Sequence, residues 1–194
     1  NESQTLVVTA TSSNPTVVPD PTFTYTSPSA AGMLTLRSLT NAFGVATVTV
    51  TVNDGGTGSN SISRSFSVTV KPVNDPPSIS AITNQYILED GATTNLTFKV
   101  SDVETAATNL DIFINTSDEE LVSIENVAVA GTGTNRTVTV TPLPNQFGSV
   151  LITLIVFDGD GGLATTDFTV NVQSVNDGPV IDPVADQTVS EDGV

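Results

Sequence analysis

Four short sets of oxygen-bearing side chains stand out in the sequence: Glu89 and Asp90, Asp102 and Glu104, Asp158 and Asp160, and Asn176 and Asp177. Calcium needs roughly six to eight oxygen ligands from carboxylates, amides and backbone carbonyls, and these residue types supply them. Carboxylates crowded together repel one another unless a cation neutralises them. The sets therefore predict calcium binding. Ordinary turns are the alternative, because Asn-Asp and Asp-Gly are also strong turn dipeptides.

The overall composition excludes several kinds of function. The chain has 194 residues with 5 Lys and Arg against 21 Asp and Glu, a net charge of −16, and neither Cys nor His. Such an acidic chain is a poor match for nucleic acid or an anionic membrane surface. It lacks a thiolate and an imidazole, the usual groups for nucleophilic and acid–base catalysis, and no apolar run has the length of a membrane span. We predict a protein that is not an enzyme, does not bind nucleic acid and does not insert into a membrane here.

The chain repeats itself with a period of about 102 to 104 residues. Three separate segments recur in the same order, and the matched pairs are 41–56 with 145–159, 66–77 with 168–179, and 88–91 with 190–193. The period divides the chain into three parts. Residues 1–75 are a repeat without its opening strands, 76–177 a complete repeat, and 178–194 the opening strand of a further repeat.

Apolar residues alternate with Thr, Ser and Asn along most of each repeat, as in Val48, Val50 and Val52. This period of two predicts strands, and the abundance of Val and Thr predicts an all-β fold. Seven short alternating strands in about 100 residues are typical of an immunoglobulin-like sandwich. For the complete repeat the predicted strands are 79–88, 94–101, 108–115, 121–127, 135–141, 149–157 and 164–173.

Two details of the core also follow from the pattern. Apolar residues on both faces of 149–157 predict a central strand buried on both sides. The turns Thr40–Gly44 and Pro144–Gly148 each carry a phenylalanine, Phe43 and Phe147, that we expect to fill one end of the core. No strand face shows a large apolar or aromatic patch.

Four stretches resemble parts of a cadherin repeat. Ser67–Pro77 resembles the end of a repeat with its calcium-binding linker, and Val100–Glu104 resembles the acidic pair after the second strand. Ile87–Glu89 resembles the glutamate motif near the end of the first strand, and Val156–Asp158 resembles the aspartate before the last hairpin. The resemblance spans the chain and is closest to cadherin-like repeats of large bacterial surface proteins. It implies tandem seven-stranded Greek-key β-sandwiches of the immunoglobulin/cadherin-like type, arranged end to end.

The resemblance also implies which residues hold calcium. At a first joint between repeats, the implied ligands are Asn74 and Asp75 of the linker with Asp102, Glu104 and Asp158. At a second joint between repeats, they are Glu89, Asn176 and Asp177. Pro72 and Ser174 stand where cadherin linkers usually carry another Asp. This departure implies fewer ions or weaker binding.

Other acidic residues are candidates for the same sites. Asp90 and Asp160 stand beside predicted ligands, and Glu191 is the repeat counterpart of Glu89. The first repeat's own counterpart of Glu89 would precede Asn1, so the first joint lacks one expected ligand. Asp54 and Glu2 are candidates for a third, upstream site.

The function that we expect is a calcium-stiffened spacer or fibre segment of an adhesin-like protein, secreted or on the cell surface and bacterial in origin, with neighbouring repeats of the same chain as its partners. One alternative is a head-to-tail filament in which 178–194 adds a strand to the open edge of another copy. That tail has no counterpart of strand 94–101. A second alternative is an adhesive module that binds a protein or glycan, which the strand faces support little.

Overall fold

The computed structural model of the chain describes residues 4–189 and residue 191. They form two compact units. The first unit contains the described residues up to Pro76 together with Asp102–Ala106, and the second contains Pro77–Ser101 and the described residues from Ala107 onward. The short segment after Ser101 therefore packs with the first unit, although the repeat period assigns it to the complete repeat.

The regular secondary structure of the described residues is almost entirely β-strand, as the alternating sequence predicts. The strands are β1 Val7–Ser12, β2 Thr22–Thr24, β3 Met33–Thr35, β4 Gly44–Asn53, β5 Ser61–Val70, β6 Ser78–Ile79, β7 Gln85–Leu88, β8 Leu96–Ser101, β9 Asp111–Thr116, β10 Val127–Ala130, β11 Asn135–Val140, β12 Gly148–Phe157 and β13 Leu163–Gln173. Two short 3-10 helices, Ala107–Asn109 and Ile124–Asn126, complete the secondary structure. No described helix has the length and apolarity to cross a bilayer.

The second unit is a sandwich of two four-stranded sheets, ordered β10-β11-β8-β6 and β7-β13-β12-β9. The all-β sandwich prediction is confirmed. The predicted strand 79–88 is divided between the sheets, because β6 pairs antiparallel with β8 while β7 pairs parallel with β13. Apolar side chains of both sheets form one core, including Phe98, Val138, Ile152, Leu154 and Phe168.

The first unit has a three-stranded antiparallel sheet, ordered β1-β4-β5, and a separate hairpin of β2 and β3. Its core is smaller and consists of Val17, Val18 and Ala46 with Val68 and Val70 packed against them. Because fewer elements cover this sheet, β5 is exposed along most of its length.

Both units contain the same turn at the matched segments. Asn41 and Asn145 have φ angles of 56° and 55°, and Gly44 and Gly148 have φ angles of 133° and 145°. Asparagine tolerates the left-handed region better than most residues, and glycine enters it without a steric penalty. The recurrence of the Asn-x-Phe-Gly sequence therefore has a backbone reason.

The predicted strand over 121–127 is wrong. Leu121 and Val122 are buried, but they lie in a turn that the Asp118 carboxylate organises by accepting hydrogen bonds from the backbone N–H groups of Glu120 and Leu121, at 3.0 and 3.1 Å. The strand of this region is β10, which begins where the predicted strand ends.

Two predictions about the core are also wrong. Strand β12 buries only one face, since Ile152, Leu154 and Val156 are inaccessible whereas Leu151 is exposed. The turn phenylalanines do not fill the core either: Phe43 is 40% and Phe147 is 64% exposed.

The segment after β13 forms no strand over residues 174–189, and its apolar side chains, among them Val180 and Ile181, are exposed. A strand needs a neighbouring strand for its backbone hydrogen bonds. The assignment of 178–194 to a further repeat, like the boundaries of the parts 1–75 and 76–177, stays a prediction.

Candidate metal site

Asp102 directly follows β8 and anchors the loop that packs with the first unit. Its Oδ1 accepts hydrogen bonds from the backbone N–H groups of Glu104 and Thr105, at 2.8 and 2.7 Å. Its Oδ2 is shielded from solvent and has no hydrogen-bond partner among the described residues. One half of this carboxylate therefore organises the loop, and the other half is an acceptor without a donor.

Glu104 joins this loop to the segment that follows β5. The backbone N–H of Asp75 donates a 3.1 Å hydrogen bond to Glu104 Oε2, and both residues are partly buried. Asn74, the preceding residue, is exposed. Within the first unit the fold thus brings together three predicted calcium ligands, namely Asp75, Asp102 and Glu104.

A groove of about 240 Å³ lies next to the Asp75–Glu104 hydrogen bond. Leu39, Phe43 and Val73 line it together with the two acidic residues. This explains the exposure of Phe43, whose ring contributes to the groove wall rather than to the core.

Asp158 and Asp54 occupy equivalent turns in the two units. The Asp158 carboxylate is buried and accepts hydrogen bonds from the backbone N–H groups of Asp160, at 2.7 Å, and Gly162, at 3.0 and 3.1 Å. Asp54 Oδ1 accepts one from Gly56, at 2.9 Å. At both positions the carboxylate therefore makes the ordinary turn hydrogen bonds that the sequence analysis gave as the alternative to calcium binding. The Asp160 side chain is exposed.

Glu89 directly follows β7 and is 6% exposed. Its carboxylate accepts a hydrogen bond from the backbone N–H of Val175, and its own N–H donates to the Gln173 carbonyl at 2.9 Å. The fold therefore places Glu89 against the segment that leads into Asn176 and Asp177, both of which are exposed.

The remaining candidate positions are less enclosed. Asp90 is exposed, adopts a φ of 60°, and accepts a 3.1 Å hydrogen bond from the backbone N–H of Asn145. Glu191 is exposed. Glu2 lies outside the described residues, so the proposed pairing with Asp54 stays a prediction, as does the participation of Asp158 at the first joint.

The donors that the fold assembles are mixed. Across residues 4–189 and 191, no group of three or more acidic side chains gathers closely enough to hold a metal ion. A calcium site here would depend on amide and backbone oxygens in addition to carboxylates, which calcium accepts. Zinc and copper sites usually include His or Cys, and the sequence has neither.

Arg136 is a structural residue that we did not identify from the sequence. It is buried, and its guanidinium donates hydrogen bonds to the carbonyls of Ala107 at 2.6 Å, Leu110 at 2.9 Å and Gly133 at 3.2 Å. Its position two residues before Val138 places it on the inward face of β11, and that spacing was the available signal.

The outer face of the β9-β12-β13 sheet is more apolar than we predicted. Phe113 on β9 is directly opposite Ile155 on β12, and Phe113 and Leu151 are both substantially exposed. These two exposed side chains qualify the prediction that no strand face shows a large apolar or aromatic patch.

Comparison with known proteins identifies the fold. No protein-family model matches the chain, and no curated protein sequence matches it. Among solved structures, human mucin-like protocadherin EC1-2 aligns over 88% of this chain and 85% of its own, with a TM-score of 0.54 and 16% identity. Protocadherin gammaB7 EC3-6 aligns over 92% of this chain and 42% of its own, with a TM-score of 0.52 and 20% identity.

A surface-layer protein also aligns, with a lower score. Domains 1-6 of SbsC align over 89% of this chain and 20% of that chain, with a TM-score of 0.43 and 21% identity. The chain thus spans less than half the length of the SbsC and gammaB7 structures. At these identities the two protocadherin alignments show the fold, and they confirm its resemblance to cadherin-like repeats.

Proposed function

We propose that this chain, which has the fold of cadherin extracellular repeats, is a non-catalytic structural segment of an extracellular surface protein that binds calcium through the carboxylates of Asp102 and Glu104 together with amide and backbone oxygens of the Asn74–Asp75 linker. One observation carries the metal assignment: Asp102 Oδ2 is shielded from solvent without a hydrogen-bond partner among the described residues, beside the Asp75–Glu104 hydrogen bond.

A shielded carboxylate oxygen is costly because it has lost water and gained no donor in return. A bound cation removes that cost, and a hard divalent ion prefers oxygen ligands. Crowding of like charges adds to the argument, since Asp102 and Glu104 are held in one short loop by the hydrogen bond from the Glu104 N–H to Asp102. The donor set therefore fits calcium.

Glu89 supports a similar role for the other linker. Its buried carboxylate holds the Val175 N–H, one residue before the exposed Asn176 and Asp177. An ion at that end would take Glu89 together with these two side chains. The two linkers would then share one chemistry, as their shared sequence Val-Asn-Asp predicts.

The function that follows is mechanical. Without an ion, the acidic residues around the Asp75 linker repel one another; with calcium bound, the linker and the loop after β8 become ligands of one ion, and the linker loses freedom. Extracellular modules commonly bind calcium with dissociation constants of about 10⁻⁴ to 10⁻³ M, which suits a site with few carboxylates. An acidic exterior is consistent with such a location and keeps the protein soluble.

Calcium titration by isothermal calorimetry tests the assignment. We expect binding by the unaltered chain, and a dissociation constant raised about tenfold or more in Asp102→Asn and in Glu104→Gln, since one lost charged ligand costs more than 1.4 kcal/mol. Glu119→Gln is the matched control, because Glu119 is exposed in another loop. Equal affinity in Asp102→Asn and the unaltered chain would refute the site.

Small-angle scattering tests the mechanical role separately. We expect the maximum dimension and flexibility of the chain to differ between calcium and chelator. If calcium binds by calorimetry but leaves the scattering unchanged, the stiffening role is wrong and the metal site stands.

A further inference from the structure

The second unit has a long, regular edge strand in the middle of its sequence. Strand β9 ends the sheet ordered β7-β13-β12-β9, and no strand among residues 4–189 pairs with its outer side. It has six residues, all paired with β12 without a bulge, whereas the other edge strands of this sandwich, β6, β7 and β10, have two, four and four. Edge strands usually carry Lys, Pro or a bulge that discourages the addition of another strand. Strand β9 contains none of these.

The backbone groups on the outer side of β9 belong to Ile112 and Ile114. The Ser117 N–H donates to the Leu151 carbonyl at 2.9 Å, so by alternation Phe113 also faces β12. Ile112 and Ile114 therefore direct their N–H and C=O groups away from β12. No hydrogen bond to these outward groups is present among the described residues. An antiparallel strand would find donors and acceptors already in position there.

The exposed face of β9 carries an acid, an aromatic ring and an amide in that order. Asp111, Phe113 and Asn115 are all exposed, and Phe113 is 56% exposed. Neither the Asp111 carboxylate nor the Asn115 amide has a hydrogen-bond partner among the described residues. A carboxylate accepts hydrogen bonds and an amide NH₂ donates them. The row is therefore complementary to itself when it runs in the opposite direction on a second copy.

We propose that two copies of this chain associate through antiparallel pairing of β9 with β9, about a two-fold axis beside Phe113. Phe113 would lie opposite Phe113 of the second copy, Asp111 opposite Asn115, and Ile112 opposite Ile114. The two isoleucines would form the hydrogen-bonded pairs, each donating and accepting a main-chain bond. The same surface is used on both copies, so the contact closes as a dimer and does not propagate into a filament.

The neighbouring strand favours this register. Ile155 on β12 is directly opposite Phe113 and is partly exposed. In the joined sheet Ile155 and Phe113 of one copy would lie in one row with the same two residues of the other, and apolar pairs on adjacent strands stabilise a sheet. A register shifted by two residues would place Phe113 opposite Asp111 or Asn115 and would lose the pairing of carboxylate with amide.

The first unit has the matching edge strand without this complementarity. Strand β1 pairs with β4 as β9 pairs with β12, and its exposed residues at the three positions are Val7, Thr9 and Thr11. They provide no carboxylate, amide or aromatic ring. The Ser12 N–H at the end of β1 already donates to Asp20 Oδ1 at 2.7 Å. We therefore expect the contact at β9 and not at β1.

Substitutions of Phe113 test the two-fold axis, because only a residue on the axis meets its own copy. An edge contact of this size is weak, so sedimentation is measured at protein concentrations up to about 1 mM. The mass of the unaltered chain should rise with concentration. Phe113→Lys and Phe113→Glu should each lower the association constant about tenfold or more, since like charges then face each other. An equal mixture of the two variants should recover association, because opposite charges meet.

Leu163→Lys is the matched control for these variants. Leu163 is 59% exposed on the same face of the sheet, but it lies on β13, away from the β9 edge. This variant should associate like the unaltered chain, and chelator should change neither result, because the contact uses no residue of the proposed metal site. A monomeric mass for the unaltered chain throughout this range would contradict the proposal. An equal loss in Leu163→Lys, or a monomeric Lys–Glu mixture, would contradict it as well.

Disulfide trapping measures the register independently, since the chain has no cysteine. Asp111→Cys mixed with Asn115→Cys under mild oxidation should give a covalent heterodimer, because residues at a non-hydrogen-bonded antiparallel pair lie about 4.5 Å apart at Cα, within disulfide range. The control mixes Asp167→Cys with Asn115→Cys, since Asp167 is exposed on β13, away from the edge. We expect about tenfold more heterodimer from the first mixture, because pairing raises the local thiol concentration. Equal yields from the two mixtures would overturn the proposal.

Discussion

Phe66 and Phe168 occupy the same position in the two copies of the repeat, yet Phe66 is 41% exposed and Phe168 is 1% exposed. Each lies opposite a fully buried residue of the neighbouring strand, Val48 or Ile152. The difference comes from the opposing layer. In the second unit the β10-β11-β8-β6 sheet covers Phe168, whereas the described part of the first unit has no four-stranded sheet to cover Phe66.

Alanine substitution of the two phenylalanines should therefore have unequal effects. Phe168→Ala should lower the free energy of unfolding by about 3–5 kcal/mol, because it leaves a cavity in a closed core. Phe66→Ala should cost on the order of 1 kcal/mol, since much of that ring is already in water. Chemical denaturation followed by circular dichroism, with hydrogen exchange to separate the two units, measures both. Equal losses would contradict the view that the first unit's core is open.

Arg136 should be among the most sensitive polar residues of the second unit. Arg136→Met removes the hydrogen bonds to Ala107, Leu110 and Gly133 and leaves their carbonyls without this donor. We expect a loss of about 2–4 kcal/mol in the free energy of unfolding, because buried acceptors lose a charged donor. Arg64→Met is the matched control, since Arg64 is exposed and donates a hydrogen bond to the adjacent Ser63 carbonyl. A similar small effect for both variants would show that the Arg136 bonds contribute little.

Much of this fold could be predicted from residue alternation alone, because a strand with one buried face records its register in the sequence. The alternation gave a wrong prediction where buried residues do not lie in a strand. Leu121 and Val122 are buried in a turn, and the Asp118 hydrogen bonds that form this turn were readable as turn chemistry. The division of 79–88 into β6 and β7 could not be read, because each half alternates correctly for its own sheet.

The candidate site was predictable in its residue types and only partly in its geometry. The sequence spacing identified Asp102 and Glu104 together, and the fold joins Glu104 to Asp75. It could not show that Asp158 and Asp54 use their carboxylates on backbone N–H groups of their own turns, since turn formation and metal binding favour the same residues. Likewise, Phe147 and Phe43 look like core residues by hydrophobicity, and only the backbone of the turn shows that they point outward.

The Asn-x-Phe-Gly turn should tolerate change at one end and not at the other. Gly148 has a φ of 145°, and a Cβ there would approach Leu121 Cδ2 to 3.4 Å. Gly148→Ala should therefore cost about 1–2 kcal/mol, because an L-residue is strained in this region. Asn145→Gly keeps the backbone N–H that bonds to Asp90 and relieves a φ of 55°, so it should change stability by less than about 0.5 kcal/mol. Thermal unfolding of both variants provides the comparison, and a neutral Gly148→Ala would contradict the requirement for glycine.

Glu89 should control the order of the segment that leads to Asn176 and Asp177. Glu89→Ala removes the acceptor of the Val175 N–H, so we expect a loss of about 1.5–3 kcal/mol and faster hydrogen exchange at the Val175 amide. Glu89→Gln retains an acceptor oxygen at the same place and should show a smaller change in both measurements. Asp167→Asn is the control for loss of one negative charge, because Asp167 is exposed on β13. If the Val175 amide exchanges equally in Glu89→Ala and in the unaltered chain, Glu89 does not hold this segment, and the argument for a metal site at the second linker loses its structural support.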